Sequence, residues 1–426
     1  MLPKILILSE QFSSGDAITG LNLFSHWDKK SLYCASRCAD YFNDNFNSTY
    51  LLGSEEVRFT FPLSAFNKLP KSEVNPTPKN SKTIKTDSLL KYLYLKILVP
   101  VLWFFNLFDG RVKYKVSEQF LTWLDDVSPD YIYTSVGSLD MAKFLIELFK
   151  KRPGIKVIYH GYDDWVNPNH TCLTSSYSTK SDASLKYILQ NSCIRFVISD
   201  KMAIEYSSRY NCDFVAIPNP SFPCKCWEKS TNCSVVFVGK IGFHNIDAIR
   251  MMAKALDIVA KKTGMALEFG IYSRVDDNEK KRLLNVYDNC KFMGWRSHDE
   301  IEQILCNSKI LYLPISMSKS TIRFTKYSMS TKMSEYLSSG TVILYYGPSG
   351  IAMTELLEKE NCAFVVKNNK IEYLVQAIEN ILSNSQAVKE KIINAQLLFD
   401  SKFSISSVTT RVSNIILDDY LTIQNV

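Results

Sequence analysis

This 426-residue sequence has few histidines, no closely paired cysteines and only a small net charge. It contains five histidines, and its eleven cysteines include no C-x-x-C pair. The nearest approach to a cysteine cluster is Cys212, Cys224, Cys226 and Cys233, whose spacing matches no common zinc pattern. A net charge of +7 is mild for this length and argues against a dedicated nucleic-acid-binding protein. We therefore expect a chain with no metal site and no nucleic-acid partner.

The start of the chain also lacks a long apolar run. MLPKILILSEQF is too short an apolar stretch for a signal peptide, so we expect a cytoplasmic protein with reduced thiols. Hydrophobic residues make up 46% of the chain and charged residues 22%, as in globular proteins. Because 426 residues exceed what one hydrophobic core usually serves, two domains are expected.

Short apolar segments in the first half predict strands that alternate with helices. The first strand, at 4–9, is followed by a polar loop with Gly15 and Gly20 and a helix at 21–27. Further strands are predicted at 131–135, 156–160, 195–199 and 214–218. A strand, a glycine loop and a helix open mononucleotide-binding folds, so Gly20 is a candidate phosphate contact. No G-x-G-x-x-G fingerprint is present, and a turn glycine without a ligand is the alternative.

The same alternation restarts after a polar linker that begins at Asn219 and Pro220. Strands are predicted at 234–239, 266–272, 291–294, 309–314, 341–346 and 363–366, with helices that include 245–262 and 299–306. The predicted fold class is α/β, with two doubly wound Rossmann-like domains facing an interdomain cleft. The predicted domains are 1–221 and 222–403, and a helix at 404–426 is expected to return to the first domain.

One segment, from 70 to 110, fits neither predicted sheet. It ends in LLKYLYLKILVPVLWFFNLF at 89–108, where Lys91, Lys96, Pro100 and Asn106 argue against a membrane-spanning helix. Lysine mixed with tyrosine, tryptophan and phenylalanine is typical of an interfacial helix that binds anionic lipid headgroups. We interpret 89–108 as a candidate membrane-facing insert, and a helix pair in the core of the first domain is the alternative.

The stretch with the clearest chemistry runs from 330 to 355, STKMSEYLSSG followed by TVILYYGPSGIAMTE. Lys332 and Glu335 lie three residues apart on one face of a predicted helix. A carboxylate can accept two hydrogen bonds from a ribose, and the N–H groups at Ser349 and Gly350 suit a phosphate. The pattern predicts a nucleotide diphosphate ligand. The alternative is a solvated helix and a simple turn.

His160 and the two carboxylates after it form a second candidate group. His160 ends a predicted strand and is followed by Asp163 and Asp164. A histidine there can orient a sugar hydroxyl or share a proton, and a structural histidine is the alternative.

Cations provide the remaining candidates. Lys240 follows the first strand of the second domain, where a diphosphate leaving group needs its charge neutralised. Arg323 and Lys326 add positive charge before Glu335, and a solvated basic loop is their alternative role. No D-x-D occurs in a suitable loop, so we predict metal-independent transfer without a cofactor.

Together these motifs resemble the retaining GT-B glycosyltransferases, close to glycosyltransferase family 4 (glycosyl transferases group 1). The resemblance covers nearly the whole chain and rests on the first glycine loop, His160 and four later blocks. These blocks are IPNP at 217–220, FVGKIG at 237–242, FMGW at 292–295, and STKMSEYLSSG with GPSG.

The resemblance implies that 1–221 is the acceptor domain and 222–403 the nucleotide-sugar donor domain, and it implies a role for each motif. It implies that Glu335 binds the donor ribose, that Lys240 contacts the diphosphate, and that the loop at Met293 and Gly294 cradles the base. By the same resemblance His160 faces the donor sugar, and the first glycine loop approaches the phosphates.

One departure from the family concerns Tyr327, which replaces the first glutamate of the family's Glu-x7-Glu pair. The candidate acceptor or sugar contacts are Asp163, Asp164, Arg323, Lys326 and Tyr327. The predicted function is transfer of a sugar, with retention, from a nucleotide diphosphate sugar to a glycan or lipid-linked acceptor in cell-surface polysaccharide synthesis. The alternatives are a GT-B-fold sugar-nucleotide epimerase and an inactive scaffold subunit. The enzyme is expected in the cytoplasm, peripheral to the inner face of the cell membrane.

Overall fold

The chain forms two compact units, which are Met1–Ile217 with Thr409–Val426, and Pro218–Val408. The structure is a computed structural model that describes residues 2–10, 14–37, 45–60, 64, 69–76, 97–98, 101, 112–166, 175–225, 233–265, 267–274 and 289–424. All statements of absence below refer to these ranges.

The first unit is built on a mainly parallel sheet. Its strands are β1 (Ile5–Ser9), β2 (Leu32–Ser36), β3 (Ser48–Leu51), β4 (Val57–Phe59), β5 (Glu73–Val74), β6 (Val112–Tyr114), β7 (Tyr131–Thr134), β8 (Val157–Gly161), β9 (Ile194–Val197) and β10 (Val215–Ala216). Its helices are α1 (Ser14–Leu23), α2 (Glu118–Val127), α3 (Leu139–Lys151), α4 (Ser175–Gln190) and α5 (Asp200–Tyr210). The main sheet has the order β10-β9-β8-β7-β1-β2-β3-β5, with only β5 antiparallel, and β4 pairs separately with β6.

The second unit contains a wholly parallel six-stranded sheet. Its strands are β11 (Cys233–Val238), β12 (Phe269–Tyr272), β13 (Cys290–Phe292), β14 (Ser308–Pro314), β15 (Val342–Tyr346) and β16 (Phe364–Val366). Its helices are α6 (Ile246–Thr263), α7 (His298–Asn307), α8 (Lys319–Thr325), α9 (Thr331–Ser338), α10 (Ala352–Lys359), α11 (Ile371–Ser383) and α12 (Ser385–Leu398), and α13 (Ile405–Gln424) follows. The order β13-β12-β11-β14-β15-β16 is that of a doubly wound nucleotide-binding sheet.

Helices cover both faces of the second sheet, as the side chains of β11 illustrate. Val235 and Phe237 pack in a cluster with α6 and α11, whereas Val236 and Val238 pack with α7, α9 and α10 on the other face. Because a strand buried on both faces must be apolar at almost every position, the central strands β11, β14 and β15 are largely hydrophobic runs, whereas the edge strand β13 is partly exposed. These runs are the reason that the central strand positions were predictable from sequence.

A buried carboxylate organises one part of the first unit. Glu56 is fully buried and accepts hydrogen bonds from the Tyr50 hydroxyl at 2.9 Å and the Gly53 N–H at 3.1 Å. The hydroxyls of Ser72 and Ser117 also donate to it. Since an ionised carboxylate has about four acceptor positions, these four donors satisfy the buried charge. Glu56 thus joins β3, the following turn and the start of α2.

The residues of the predicted first glycine loop form a helix instead. Gly15 and Gly20 both lie within α1, a helix of ten residues, and the Gly20 carbonyl accepts a hydrogen bond from the Phe24 N–H. Backbone N–H groups in the middle of a helix are used by the helix itself. The prediction that Gly20 stands in a loop is therefore wrong, and its contact with a phosphate stays a prediction. The low helix propensity of glycine suggested a loop, and tertiary context overrides such propensities.

Two further expectations can be compared with the structure. Cys306 is disulfide-bonded, which differs from the expectation of uniformly reduced thiols. The candidate membrane-facing insert, 89–108, lies almost entirely outside the described residues. Among the helices that are described, none combines the length and apolarity needed to cross a membrane.

Candidate functional site

The carboxyl ends of the parallel strands in the second unit bring most of the predicted donor residues to one sheet edge. Strands β13, β12, β11, β14 and β15 are neighbours in parallel register, so the residues after each of them lie at the same edge. These residues are Gly239 and Lys240, Ser273 and Arg274, Met293 and Gly294, Ser316, and Gly347 to Gly350. Ligands of doubly wound sheets bind at this edge.

Helix α9 presents the Lys332–Glu335 pair that the motif predicted. The Lys332 Nζ lies 3.2 and 3.1 Å from the two carboxylate oxygens of Glu335. The two side chains are 34% and 18% exposed, so the pair is partly shielded yet reachable. The ammonium group forms charge-assisted hydrogen bonds to Glu335, and each carboxylate oxygen keeps a lone pair for a further donor. A ribose with two adjacent hydroxyls matches these acceptor positions.

Tyr336, the residue after Glu335, fixes α9 to the end of β11. Its buried hydroxyl accepts a hydrogen bond of 3.0 Å from the Val238 N–H. Gly239, which follows Val238, has φ +149°, and a Cβ atom built on it would lie 4.0 Å from the Lys332 Cγ. The Lys332–Glu335 pair is therefore held beside the glycine turn that follows β11. Sequence reasoning did not identify Tyr336 as a positioning residue, although it stands in the same K-x-x-E-Y-L motif.

The loop that carries Lys240 is shaped by an asparagine side chain. The Asn245 Oδ1 accepts from the Gly242 N–H at 2.9 Å, and its Nδ2 donates to the Lys240 carbonyl at 3.0 Å. Lys240 itself is exposed. Burial and the nearby charge of Lys240 lower the pKa of His244, so this imidazole is neutral beside the ammonium group. Lys240 remains a candidate for neutralising an anionic ligand at this turn.

The loop after β13 lies beside an exposed stacked pair. The Met293 N–H donates to the Ile271 carbonyl at 2.9 Å, and Gly294 has φ +75°, a conformation that favours glycine. The guanidinium of Arg274 lies 4.9 Å from the ring centroid of Trp295, and both residues are exposed. This arrangement provides a flat polar surface next to the two predicted base-binding residues.

Ser273 supplies an unsatisfied polar group at the same edge. It is 5% exposed, and its hydroxyl has no hydrogen-bond partner in the described ranges. Because buried polar groups are usually paired, such a hydroxyl is a candidate ligand contact. It was not identified from the sequence, in which a single serine carries no signal.

Packing accounts for one glycine of the GPSG turn. A Cβ atom on Gly347 would lie 2.3 Å from the Tyr345 hydroxyl oxygen, so packing alone requires glycine there. The first N–H of α10, on Ala352, donates to the Lys326 carbonyl at 2.9 Å. Ser349 and Gly350 are exposed at the edge, as a phosphate contact requires.

Of the three candidate acceptor or sugar contacts before α9, Arg323 and Lys326 are exposed, whereas Tyr327 is buried. Tyr327 is 4% exposed, with the Lys326 Nζ 4.9 Å from its ring centroid. A buried ring of this kind is a structural element, so the candidate sugar contact at Tyr327 is not supported by its burial. Cation–π pairing with Lys326 explains how the tyrosine is accommodated where the related motif has a carboxylate.

In the first unit, His160 is fully buried in a hydrogen-bonded chain. Its Nε2 lies 3.1 Å from the Ile217 carbonyl, which can only accept, so Nε2 carries the proton. Nδ1 then accepts from the Tyr133 hydroxyl at 2.7 Å, and that oxygen lies 2.7 Å from the Tyr162 hydroxyl. Burial lowers the pKa of His160 to about 3, and the bond to Ile217 opposes this only in part. Both ring nitrogens are occupied, so His160 positions the two tyrosines in this arrangement.

The two carboxylates after His160 have different environments. Asp163 is exposed, whereas Asp164 is buried and accepts from the Arg209 guanidinium at 2.9 and 3.2 Å and from the Tyr206 hydroxyl at 3.0 Å. Asp164 therefore has a structural ion pair, and its contact with an acceptor or sugar stays a prediction. Its charge is balanced by an arginine 45 residues later in the chain, a pairing that no local pattern reveals.

Comparison with known proteins bears on this site. Residues 232–384 match the family described as glycosyl transferases group 1, and these residues contain the sheet edge described above. The second unit carries a glycosyltransferase domain. The match confirms the predicted glycosyltransferase at the level of this domain. No curated protein matches the sequence.

Solved structures of similar fold extend over almost the whole chain. Sucrose-phosphate synthase from Thermosynechococcus elongatus is 12% identical with a TM-score of 0.61, covering 98% of this chain and 100% of its own. The Anabaena protein Alr3699/HepE in complex with UDP is also 12% identical, with a TM-score of 0.61 and coverage of 97% and 100%. WaaG, a glycosyltransferase involved in lipopolysaccharide biosynthesis, is 12% identical with a TM-score of 0.55, covering 97% of this chain and 99% of its own. The predicted GT-B class of α/β fold, with two Rossmann-like sheets, is confirmed.

Proposed function

We propose that the chain is a metal-independent glycosyltransferase that moves a sugar from a nucleotide diphosphate sugar to a hydroxyl of a glycan or lipid-linked acceptor. The observation that carries the proposal is the Lys332–Glu335 pair, held by Tyr336 beside the Gly239 turn within the glycosyltransferase domain. A carboxylate for a ribose and a glycine turn for a diphosphate are thereby adjacent. UDP sugars are the first donors to test, since the Anabaena neighbour was solved with UDP.

In this proposal each residue of the donor site has a separate role. Glu335 binds the ribose, and Lys332 pairs with its carboxylate. Lys240 neutralises charge on the diphosphate as the sugar leaves, the contribution expected of a fixed cation at a leaving group. Met293 and Gly294 contact the base through their backbone, and Ser349 and Gly350 contact phosphate oxygens.

The first unit supplies the acceptor side in this proposal. His160 acts as a positioning residue that orients Tyr162 through Tyr133, because its own nitrogens are occupied. Asp163 is an exposed candidate for contact with a sugar. The proposal retains transfer with retention at the anomeric carbon, and a role in cell-surface polysaccharide synthesis of the kind that WaaG's description names. It also keeps a cytoplasmic enzyme that associates with the inner face of the membrane through 89–108.

Donor binding is the first test. Nucleotide sugars are screened by thermal shift, because a ligand that binds only the folded state raises the melting temperature. Calorimetry with the best donor is then repeated on Glu335→Gln and Lys240→Ala. Loss of a charged hydrogen bond should weaken binding by about tenfold to a hundredfold in each. Glu379→Gln is the matched control, since Glu379 pairs with Lys262 on the surface of the same unit at 3.1 Å. Unchanged affinity in both site variants would remove the site as proposed.

The alternatives give different results in the same preparations. An epimerase would isomerise the donor sugar without an acceptor, which NMR of protein and donor alone detects. A scaffold subunit would bind no donor at millimolar concentration. The anomeric configuration of a transferred sugar, read by NMR, tests retention separately.

A further inference from the structure

Two exposed aromatic rings lie together at the carboxyl edge of the second sheet, on two different elements. Phe243, in the loop between β11 and α6, is 57% exposed, and Phe324, in α8, is 38% exposed. Their ring centroids are 6.0 Å apart with an interplanar angle of 64°. Scattered exposed apolar side chains are ordinary, but two large rings that meet in solvent form a small apolar platform.

Both rings are held from behind by the protein. The loop of Phe243 is closed by the Asn245 amide, and the His244 carbonyl accepts from the Ser316 N–H at 2.7 Å. Ser318 caps the N-terminus of helix α8, and its hydroxyl accepts from the Thr321 N–H at 3.3 Å. At its other end the Lys326 carbonyl accepts from the first N–H of α10. The platform is therefore fixed in place before any ligand arrives, which lowers the entropic cost of binding.

The segment that carries Phe324 is positively charged. No acidic residue occurs from 303 to 334, whereas Lys309, Lys319, Arg323, Lys326 and Lys332 do. Lys319 and Arg323 lie one helical turn apart on α8 and are exposed. Neither has a carboxylate partner in the part of the chain that the structure describes. An anion near the two rings would meet cations that the fold has not already neutralised.

We propose that Phe243 and Phe324, with Lys319 and Arg323 beside them, bind the acceptor as a sugar ring that carries an anionic group. The C–H groups of a pyranose present an apolar face that can lie on an aromatic ring, while a phosphate or carboxylate on the same acceptor pairs with the two cations. This inference rests on the proposed glycosyltransferase function and deepens it by naming the class of acceptor. It also gives the second unit a part in holding the acceptor, separate from the donor groups on α9.

Saturation-transfer NMR on the full chain tests the proposal with small probes. The probes are N-acetylglucosamine 1-phosphate for a phosphate, a glucuronic acid disaccharide for a carboxylate, and maltose as the neutral sugar. Wild type should bind at least one charged probe more strongly than maltose. Phe243→Ala and Phe324→Ala should each weaken that binding by about tenfold, from loss of part of a phenylalanine's burial. Arg323→Gln should reduce binding of the charged probe to the level of maltose.

Controls separate this inference from the proposed function. Tyr373→Ala removes another exposed ring of the second unit and should leave probe binding unchanged. UDP binding, measured by calorimetry on the same samples, should be equal in wild type and the two phenylalanine variants. Failure of wild type to bind any nucleotide sugar would refute the proposed function, whereas the sugar probes still report on the platform.

Three results would overturn the inference. The first is equal probe binding by wild type and both phenylalanine variants. The second is weakened UDP binding in Arg323→Gln with unchanged probe binding, which would assign the cation to the donor. The third is flotation with phosphatidylglycerol vesicles that depends on Phe243 and Phe324 without any sugar binding, which would make the platform a membrane contact.

Discussion

Acid should destabilise the first unit through His160, and the size of the effect follows from its burial. The unfolded chain binds a proton at this imidazole below its ordinary pKa of 6.5, whereas the folded protein resists protonation until about pH 3. The unfolded state therefore holds more protons across this range, and the free energy of unfolding falls as the pH falls through it. The loss begins near pH 6.5 and levels off only below about pH 3.

The magnitude is about 1.4 kcal/mol for each pH unit below the unfolded pKa. Between pH 7 and pH 5 the expected loss from this single group is therefore about 2 kcal/mol. His160→Gln removes the titration while an amide can still accept from Tyr133 and donate to the Ile217 carbonyl. The variant should be less stable at pH 7, yet its stability should fall by about 2 kcal/mol less on acidification.

Urea unfolding at pH 7, 6 and 5, followed by hydrogen exchange of peptides from β7 and β8, measures this in the first unit alone. His26→Gln is the control, since His26 is an exposed histidine of the same unit. It should keep the pH dependence of wild type. The reasoning is refuted if wild type and His160→Gln lose equal stability, or if NMR shows His160 titrating near neutral pH. The latter result would also restore His160 as a proton-sharing group.

Three more substitutions test the supports of the two units. Tyr336→Phe leaves the Val238 N–H without its acceptor, so urea unfolding should show a loss of about 1 to 3 kcal/mol, and donor affinity by calorimetry should fall. Gly347→Ala should cost about 1 to 3 kcal/mol because its Cβ meets the Tyr345 hydroxyl. Adding Tyr345→Phe should recover part of that loss, and simple additivity in the double-mutant cycle would contradict the clash. Glu56→Gln should destabilise the first unit by roughly 1.5 to 3 kcal/mol in the same unfolding assay, and an unchanged midpoint would show that the four donors do not depend on its charge.

Much of the second sheet could be predicted from the sequence because its strands are buried on both faces. The central strands β11, β14 and β15 are largely apolar runs, and they begin and end within one residue of the predicted segments. The strands of the first sheet were harder to predict from the sequence. β2 and β3 were not predicted, since LYCAS and STYL mix small, polar and aromatic residues and resemble loop sequence. Glycine in α1 concealed a helix for the opposite reason, because its propensity argued against the structure that the fold imposes.

The candidate site divides along similar lines. Lys332 and Glu335 were predictable because three-residue spacing alone places them on one helical face. The bond from Val238 to Tyr336 joins residues 98 positions apart, and no local pattern reports it. The pairing of Asp164 with Arg209 was missed for the same reason, because the two residues are distant in sequence. Spacing identifies groups that can meet within one element, whereas partners on different elements require the fold.

The course of the chain has a consequence for its synthesis. Residues 1–217 lack part of their unit until Thr409 onward has been made, and Asp419 of α13 accepts a 2.6 Å hydrogen bond from Tyr131 in β7. At about 5 to 20 residues per second, a ribosome needs roughly 10 to 40 s to make the intervening segment. During that interval the emerging first unit has no helix to cover that part of its surface. A chaperone that shields nascent chains should therefore affect the yield of this protein more than that of a protein whose N-terminal domain is continuous in sequence.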